Sequence, residues 1–293
     1  MIKRPTLSIV VVLFNMRREA ERTLHSLSVC YQEGVGDADY DVHVVENGSN
    51  EPVDEAFVRS FGPNFHYYRL IDPPASPAFA LNYGVAQSKG RFVGLMIDGA
   101  HLLTPRVVSY TLQLVRGVPC PIVAVRRFYL GPGQQPTTVQ QGYDQATEDE
   151  LLASIAWPRQ PDRLFEIAAF MGKQRPGWFG RFWESNCLMM PRNVYQAIGK
   201  FDERFDFPGG GFVNLDIFRQ AVEYPEAQLY VLLGEGSFHQ VHGGTTTNKA
   251  PAEVERQLVE YSSQYESIRG KAYCMPHVDM EFSGVLHPRC FLV

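Results

Sequence analysis

Three polar residues in this chain each stand at the end of an apolar run. Asn15 follows residues 7–14 (LSIVVVLF), Glu46 closes residues 41–46 (DVHVVE), and Asp98 follows residues 92–97 (FVGLMI). Short runs rich in β-branched residues suit strands covered on both faces of a parallel sheet. Ligands of such sheets bind beyond the carboxyl ends of the strands. Asn15, Glu46 and Asp98 are therefore expected to converge on one crevice. Two imidazoles, His239 and His242, lie in a Phe-His-Gln-Val-His-Gly-Gly segment. Imidazole suits Mn²⁺-like ions in mixed nitrogen and oxygen sites. Their i, i+3 spacing does not force both onto one ion, and hydrogen-bonded loop histidines are the plainer alternative. Glu184 stands among Trp178, Phe179, Phe182 and Trp183, and Asp216 follows the triple glycine at 209–211. The aromatics suit either stacking on a sugar face or core packing.

The elements that must position these residues alternate. Residues 16–29 carry apolar positions at helical spacing, with charges between them. Asn47-Gly48-Ser49-Asn50 is a turn signal after the second strand. Residues 65–70 and 92–97 read as strands, and residues 78–87 as a helix. This alternation implies a right-handed parallel α/β sheet. In the second half, residues 122–129 and 229–233 read as strands. Residues 148–156, 193–198, 213–222 and 253–268 read as helices. Residues 159–181, rich in Pro, Gly and aromatics, read as a surface-shaping insertion, and 237–248 as a polar loop. The last twenty or so residues lack periodicity and are expected to form a loose tail or packed strap. No internal repeat or low-complexity tract is visible.

Composition narrows the function classes. The 293 residues are 45% hydrophobic and 20% charged, enough for a sizeable core. Net charge is −5, from 27 basic and 32 acidic residues, which argues against a nucleic-acid partner. The longest apolar run is far short of the about 20 residues that span a bilayer. The N-terminal run is short and lacks a small-residue cleavage site, so it reads as a strand rather than a signal peptide. Five widely spaced cysteines without a CxxC argue against a disulfide framework or a structural zinc site. A reducing, cytoplasmic location fits, with peripheral membrane attachment left open. Oligomeric state is not legible.

Four ordered segments carry a family resemblance: SIVVVLFN, VHVVENGSN, ALNYGVAQSKGRFVGLMIDGAHLLTP, and GKFDERF with a glycine-rich loop and helix after it. From about residue 5 to about residue 250, the chain resembles the inverting, nucleotide-sugar-dependent glycosyltransferases of family 2. The resemblance implies a GT-A fold: one continuous α/β domain with a Rossmann-like, mixed, mostly parallel sheet flanked by helices. Residues 1–120 would be the nucleotide-sugar-binding half and 121–250 the acceptor-binding and catalytic half. Residues 251–293 would be a C-terminal helix and tail. The implied activity is a hexosyl or glycosyl transfer of the EC 2.4 class. The donor is a nucleoside-diphosphate sugar, UDP-type by default. The acceptor is a hydroxyl on a glycan, lipid-linked or small molecule.

The same resemblance assigns roles. Leu13, Phe14 and Asn15 would cradle the base, or Phe14 would be a core residue. Glu46, an acceptor only, would take an imide N–H of uracil or guanine type. Asn82, in Ala80-Leu81-Asn82, would touch the donor or cap a turn. Leu81 stands where relatives carry arginine, so Lys89, Arg91 or a later residue would supply that cation. Asp98 and Gly99 match the start of an Asp-x-Asp motif, but its second carboxylate is replaced by Ala100. Asp98, with His239 or His242, would hold a divalent metal (Mn²⁺ or Mg²⁺), and His101 is a further candidate. Thr245-Thr246-Thr247-Asn248 would add phosphate donors or be plain loop. Relatives place a Glu-Asp pair where this chain has Gly211-Phe212-Val213-Asn214. Asp216 is the nearest carboxylate and is expected to be the general base, with Glu184 as the alternative. The missing carboxylates keep open a catalytically inactive nucleotide-sugar or glycan-binding module of the same fold. A nucleotidyltransferase would carry a glycine-rich loop after the first strand, and a dinucleotide oxidoreductase a GxGxxG. Neither is present.

Overall fold

A computed structural model describes residues 5–172, 177–243 and 251–293. The polar run at 245–248 therefore lies outside the described residues. The described residues form one ten-stranded sheet. Its strands are β1 (Leu7–Leu13), β2 (Tyr40–Asn47), β3 (Phe65–Leu70), β4 (Phe92–Met96), β5 (His101–Leu103), β6 (Pro121–Leu130), β7 (Ala168–Phe170), β8 (Cys187–Pro191), β9 (Gln228–His239) and β10 (Met280–Gly284). The helices are α1 (Arg17–Ser26), α2 (Glu55–Arg59), α3 (Pro77–Gln87), α4 (Val107–Gly117), α5 (Gln135–Thr138), α6 (Gln145–Ser154), α7 (Arg192–Ala197), α8 (Val213–Val222) and α9 (Pro251–Arg269).

The main sheet runs β3-β2-β1-β4-β8-β6-β9-β10. Pairs β1–β2, β1–β4, β2–β3, β6–β9 and β9–β10 are parallel. β8 runs antiparallel to both β4 and β6, so the sheet is mixed, mostly parallel, as expected. All seven residues of β1 are buried, which is the pattern its continuous apolar run demands. One face of the sheet packs Val10, Val12, Val45 and Leu95 against α3 and α8. The other packs Ile9, Val11, Val42 and Val44 with apolar residues of α1 and α4. No helix among the described residues is long and apolar enough to cross a membrane. All five cysteines are free.

Three expectations change. The C-terminal segment is neither loose nor merely a strap, because β10 closes the sheet edge beside β9. The 159–181 segment is not only surface, since Phe165, Phe170 and Trp178 are buried in an aromatic cluster with Phe128 and Phe238. The strand expected to end at residue 233 instead continues to His239. Gly234 and Gly236 read as a break in the sequence but lie in an irregularity of β9. The pairing passes from Ala124–Val231 to Arg126–Gly236, leaving extra residues on β9. Such a bulge bends a strand and re-aims its remaining side chains. Gly234 takes φ +75°, and a Cβ there would meet Val285 O at 1.9 Å. Only glycine fits this bend.

Candidate active site

The bend in β9 brings sequence-distant residues together. After β4 the chain turns through Asp98-Gly99-Ala100 and enters β5, which pairs antiparallel with the end of β9, His101 opposite His239. Ala100 O accepts from Gln240 N at 2.8 Å, tightening the junction. Gly99 is packed so closely on β1 that a Cβ would meet Leu13 Cδ2 at 2.4 Å and Val12 O at 2.5 Å. It is a packing glycine that sets the path of the turn.

Asp98 stands at the centre of this junction. Its backbone is clamped by Asn186, whose Oδ1 accepts from Asp98 N at 2.8 Å and whose Nδ2 donates to Asp98 O at 3.0 Å. Oδ1 accepts from Ala100 N at 2.9 Å. Oδ2 lies 3.2 Å from both His239 Nε2 and His242 Nε2, and these two nitrogens are 3.1 Å apart. Three ligand atoms so spaced form the triangular face of a coordination shell. Ligands about 2.1 Å from one ion and at right angles lie about 3 Å apart. The donor set therefore fits one divalent cation. His239 is fixed for this role by Gln135, whose Oε1 lies 2.6 Å from His239 Nδ1 while its Nε2 donates to His239 O at 3.0 Å. With the proton on Nδ1, the Nε2 lone pair faces the cluster. The histidines are 5% and 8% exposed and Asp98 26%, so the cluster opens to solvent on the aspartate side.

The electrostatics arise from this packing. Burial alone would raise the Asp98 carboxyl, but His242 and His239 overcome it and hold it well below the usual carboxylate range. Burial lowers His239 and drives His101 well down, so both stay neutral and available as donors. Burial also opposes the charge on His242, yet Asp98 raises it above the ordinary histidine value. His101 belongs to the same neighbourhood: Asp98, His101 and His239 offer ligand atoms within 4.8 Å of one another. Its Nδ1 is 2.8 Å from Ser237 Oγ.

The other candidates fall into two groups. Phe14, Asn15 and Glu46 sit together at the ends of β1 and β2, where Leu13 is in register with Glu46. Phe14 is 52% exposed, so it is not a core residue, whereas Leu13 is fully buried. Asn15 and Ser49 lace the two loops: Asn15 N donates to Ser49 Oγ, and Asn15 Oδ1 accepts from Asn50 N. Glu46 is buried, with Oε1 accepting from Ser49 Oγ at 3.1 Å and Oε2 lacking a hydrogen-bond partner. Burial pushes its carboxyl up to about 7. Since β2, β1 and β4 are adjacent, Glu46 stands two strand spacings, about 10 Å, from Asp98.

Asn82 and Asp216 are held elsewhere. Asn82 Nδ2 donates to Phe201 O and Glu203 Oε1, and Oδ1 accepts from Tyr195 Oη and Phe201 N. These bonds tie α3 to α7 and to the 199–205 segment. Asp216 is 1% exposed and forms a two-pronged ion pair with Arg269 of α9 at 2.5 and 2.7 Å. Its neighbour Asn214 donates instead to Glu184 Oε2 at 2.6 Å. Two positions along a helix are about 200° apart, so Asn214 and Asp216 face opposite ways. Lys89 and Arg91 precede β4 while Asp98 comes after it, which puts them at the far end of the strand. They cannot replace the arginine absent at Leu81.

Glu184 lies toward the Asp98 end of β4. It is two residues before Asn186, and the β4–β8 register ends at Met96 opposite Cys187. Glu184 pairs with Arg127 of β6, whose charge also lowers His101 and His239. Sequence reasoning missed Gln135, Arg127 and Asn186. Arg127 follows the apolar run at 121–125 but Gln135 and Asn186 follow none, and each acts through pairings that only the sheet order creates.

No family model matches the chain, and no curated protein matches it. The fold is similar to crystal structures of S. aureus TarS. The TarS 1-349 complex with UDP-GlcNAc shares 12% identity, covers 89% of this chain and 66% of that chain, and gives a TM-score of 0.52. The corresponding UDP complex gives 10%, 89%, 65% and 0.51, and TarS 1-349 alone gives 12%, 89%, 65% and 0.50. The match thus spans just under two thirds of those chains. At this identity the likeness establishes the fold alone, and the chain has the glycosyltransferase type of α/β fold that its ordered motifs lead one to expect.

Proposed function

We propose that the chain is a glycosyltransferase that moves a sugar from a UDP-type nucleotide sugar to an acceptor hydroxyl with inversion. The observation that carries this reading is the row of groups along one end of the sheet. Phe14 and the unpartnered Glu46 Oε2 stand about two strand spacings from the Asp98–His239–His242 triangle. That arrangement suits a flat base at one end and a diphosphate at the other. The solved TarS complexes contain UDP-GlcNAc and UDP, which supports the same donor class here.

Phe14 offers an exposed aromatic face to the base, and Glu46 accepts its imide N–H. Leu13 contributes backbone groups only, and Asn15 shapes the loop. Asp98, His239 and His242 would hold Mn²⁺ or Mg²⁺, and Gly99 sets the turn that aims Asp98. Two imidazoles in place of the second Asp-x-Asp carboxylate favour Mn²⁺-like ions over Mg²⁺. A metal held by these residues would supply positive charge to neutralise a departing diphosphate. Arg127 takes the place of the arginine missing at Leu81. Glu184, rather than Asp216, accepts the proton of the attacking hydroxyl, because Asp216 is closed off by Arg269. Residues up to about 120 form the donor half. Residues 121–250 form the acceptor half, and the C-terminal segment buttresses it. The acceptor is a glycan, lipid-linked or small-molecule hydroxyl.

One observation favours a second reading, a nucleotide-sugar-binding module without turnover: both candidate bases are ion-paired, Glu184 to Arg127 and Asp216 to Arg269. Calorimetry with UDP and UDP-GlcNAc, with and without Mn²⁺, combined with donor turnover, tests both. Mn²⁺-dependent binding with turnover supports the transferase. Binding without turnover over a broad acceptor panel supports the module. No binding overturns both.

A further inference from the structure

A second cluster of one carboxylate and two imidazoles lies toward the opposite end of the sheet. Asp41 and His43 are two residues apart on β2, so their side chains share a face. His66 on β3 is in register with His43. Val45, next on the same face, packs in the core beneath α3. β3 is the outermost strand, so this face opens to solvent at His66, which is 39% exposed, while His43 is 3% exposed.

Asp41 Oδ2 is 3.1 Å from His43 Nε2 and 3.9 Å from His66 Nε2. All three residues offer ligand atoms within 4.8 Å of one another. Two observations mark this as more than a polar patch. First, His43 Nε2 and Asp41 Oδ1 are buried without a hydrogen-bond partner, so the 3.1 Å approach is not an aligned N–H···O bond. A buried polar atom left unpaired is costly, and a cation bound between Asp41 Oδ2 and His43 Nε2 would give that nitrogen a partner. Second, His43 Nδ1 lies 3.2 Å from the Tyr68 hydroxyl, and the two rings stack at 5.8 Å with planes 2° apart. In the tautomer with the proton on Nδ1, Tyr68 Oη accepts it and the Nε2 lone pair is left toward Asp41, the outer support that metal-bound histidines show. The rings of His43 and His66 stack at 4.8 Å, so a small turn of the partly exposed His66 closes the set.

We propose that Asp41, His43 and His66 form a second metal site, for a borderline divalent ion such as Zn²⁺, separate from the Asp98 cluster. Its donor set of two nitrogens, one carboxylate oxygen and solvent is a familiar Zn²⁺ set. The ion would staple the edge strand β3 to β2. This inference does not depend on the proposed transferase activity.

The test uses the full chain stripped of metal with a chelator and titrated with Zn²⁺ alone. Calorimetry counts the sites, and imidazole ¹⁵N shifts report which histidines respond. The expected result is a Zn²⁺ equivalent that shifts His43 and His66 in the wild type and is lost in His66→Gln. The apo thermal midpoint of that variant should stay unchanged, because His66 is partly exposed. Tyr68→Phe should keep the equivalent but weaken it about 10–100-fold. Unmoved His43 and His66 resonances, or an equal number of equivalents in wild type and His66→Gln, would overturn the proposal.

Discussion

Two triads of one aspartate and two histidines occupy one sheet, and they are built in different ways. Asp41, His43 and His66 come from neighbouring positions of two paired strands, and strand alternation alone places them together. Asp98, His239 and His242 come from residues about 140 apart in sequence, joined because β5 folds back against the end of a bent β9. The outer triad leaves buried polar atoms unpaired and is held by one tyrosine hydroxyl. The inner triad has its aspartate backbone clamped by Asn186 and His239 gripped at two points by Gln135. A site held on many sides keeps its geometry while charge develops, which is what catalysis asks of a preorganised group. The contrast supports the proposed catalytic role for the inner cluster and the proposed stapling role for the outer one.

The largest effect should come from the inner aspartate. Asp98→Asn removes the anionic ligand but keeps the bond to Ala100 N and the Asn186 clamp. Turnover of a UDP-sugar should fall by at least about 10³-fold, the scale of losing a preorganised group at developing charge. Mn²⁺ dependence of UDP binding should vanish with it. Retained turnover would remove the distinction between the two clusters.

The next effect separates the two carboxylates weighed as general base. Glu184→Gln should lower kcat by about 10²–10⁴-fold, as expected for a general base, with UDP affinity little changed. Asp216→Asn should instead destabilise the fold. Arg269 would lose a two-pronged partner, though Asp202 remains 3.1 Å away to share its charge. The loss is about 1–3 kcal/mol, below that of a fully buried pair because of this second partner and the exposure of Arg269. Denaturant midpoints and kcat measured on both variants check the assignment, and a kcat loss confined to Asp216→Asn would reverse it.

A smaller effect concerns support rather than ligation. Gln135→Leu frees the Nδ1 side of His239, and the Mn²⁺ concentration for half-maximal turnover should rise about 10–100-fold. Tyr68→Phe makes the matching change at the outer triad. An equal rise in that variant would mean that the two clusters act as one unit.

Much of this arrangement is legible in the residues alone. The strand ends at Asn15, Glu46 and Asp98 are set by continuous apolar runs that suit a sheet covered on both faces, and helix 213–222 has the bounds its pattern gives. The Asp98 cluster is legible only as separate pieces. Gly234-Glu235-Gly236 carries the punctuation of a strand end, and only its pairing with β6 shows that it is a bend. Asp216 has the right residue type and place in the chain, yet its direction on α8 depends on α9, which the local pattern does not encode. His43 is hidden as a polar residue inside an apolar strand that reads as core. Arg127 and Gln135 become visible only once β6 and α5 are set beside β9.

The smallest predicted effect joins stability to binding at the base end of the row. Glu46 is buried with the Ser49 hydroxyl as its side-chain donor, and burial raises its carboxyl to about 7. Because the folded-state value lies above the unfolded one, the folded protein binds the extra proton between about 4.5 and 7. Stability from this group is therefore full below about pH 4.5 and falls as pH rises toward 7. Glu46→Gln keeps an acceptor for Ser49 and removes the charge. It should raise the thermal midpoint at about pH 8 and leave it nearly unchanged at about pH 4.5. The gain at the higher pH is on the order of 1–3 kcal/mol. The same variant should bind UDP about tenfold more weakly, since the amide can present a donor where the base offers one. Melting curves at the two pH values, set beside UDP titrations, read both signs. A variant that gains stability at the higher pH with UDP affinity intact would locate the base away from Glu46. A variant with weaker UDP binding and no pH-dependent gain would mean that the carboxylate is already neutralised by Arg17 or Arg69, whose charges reach it.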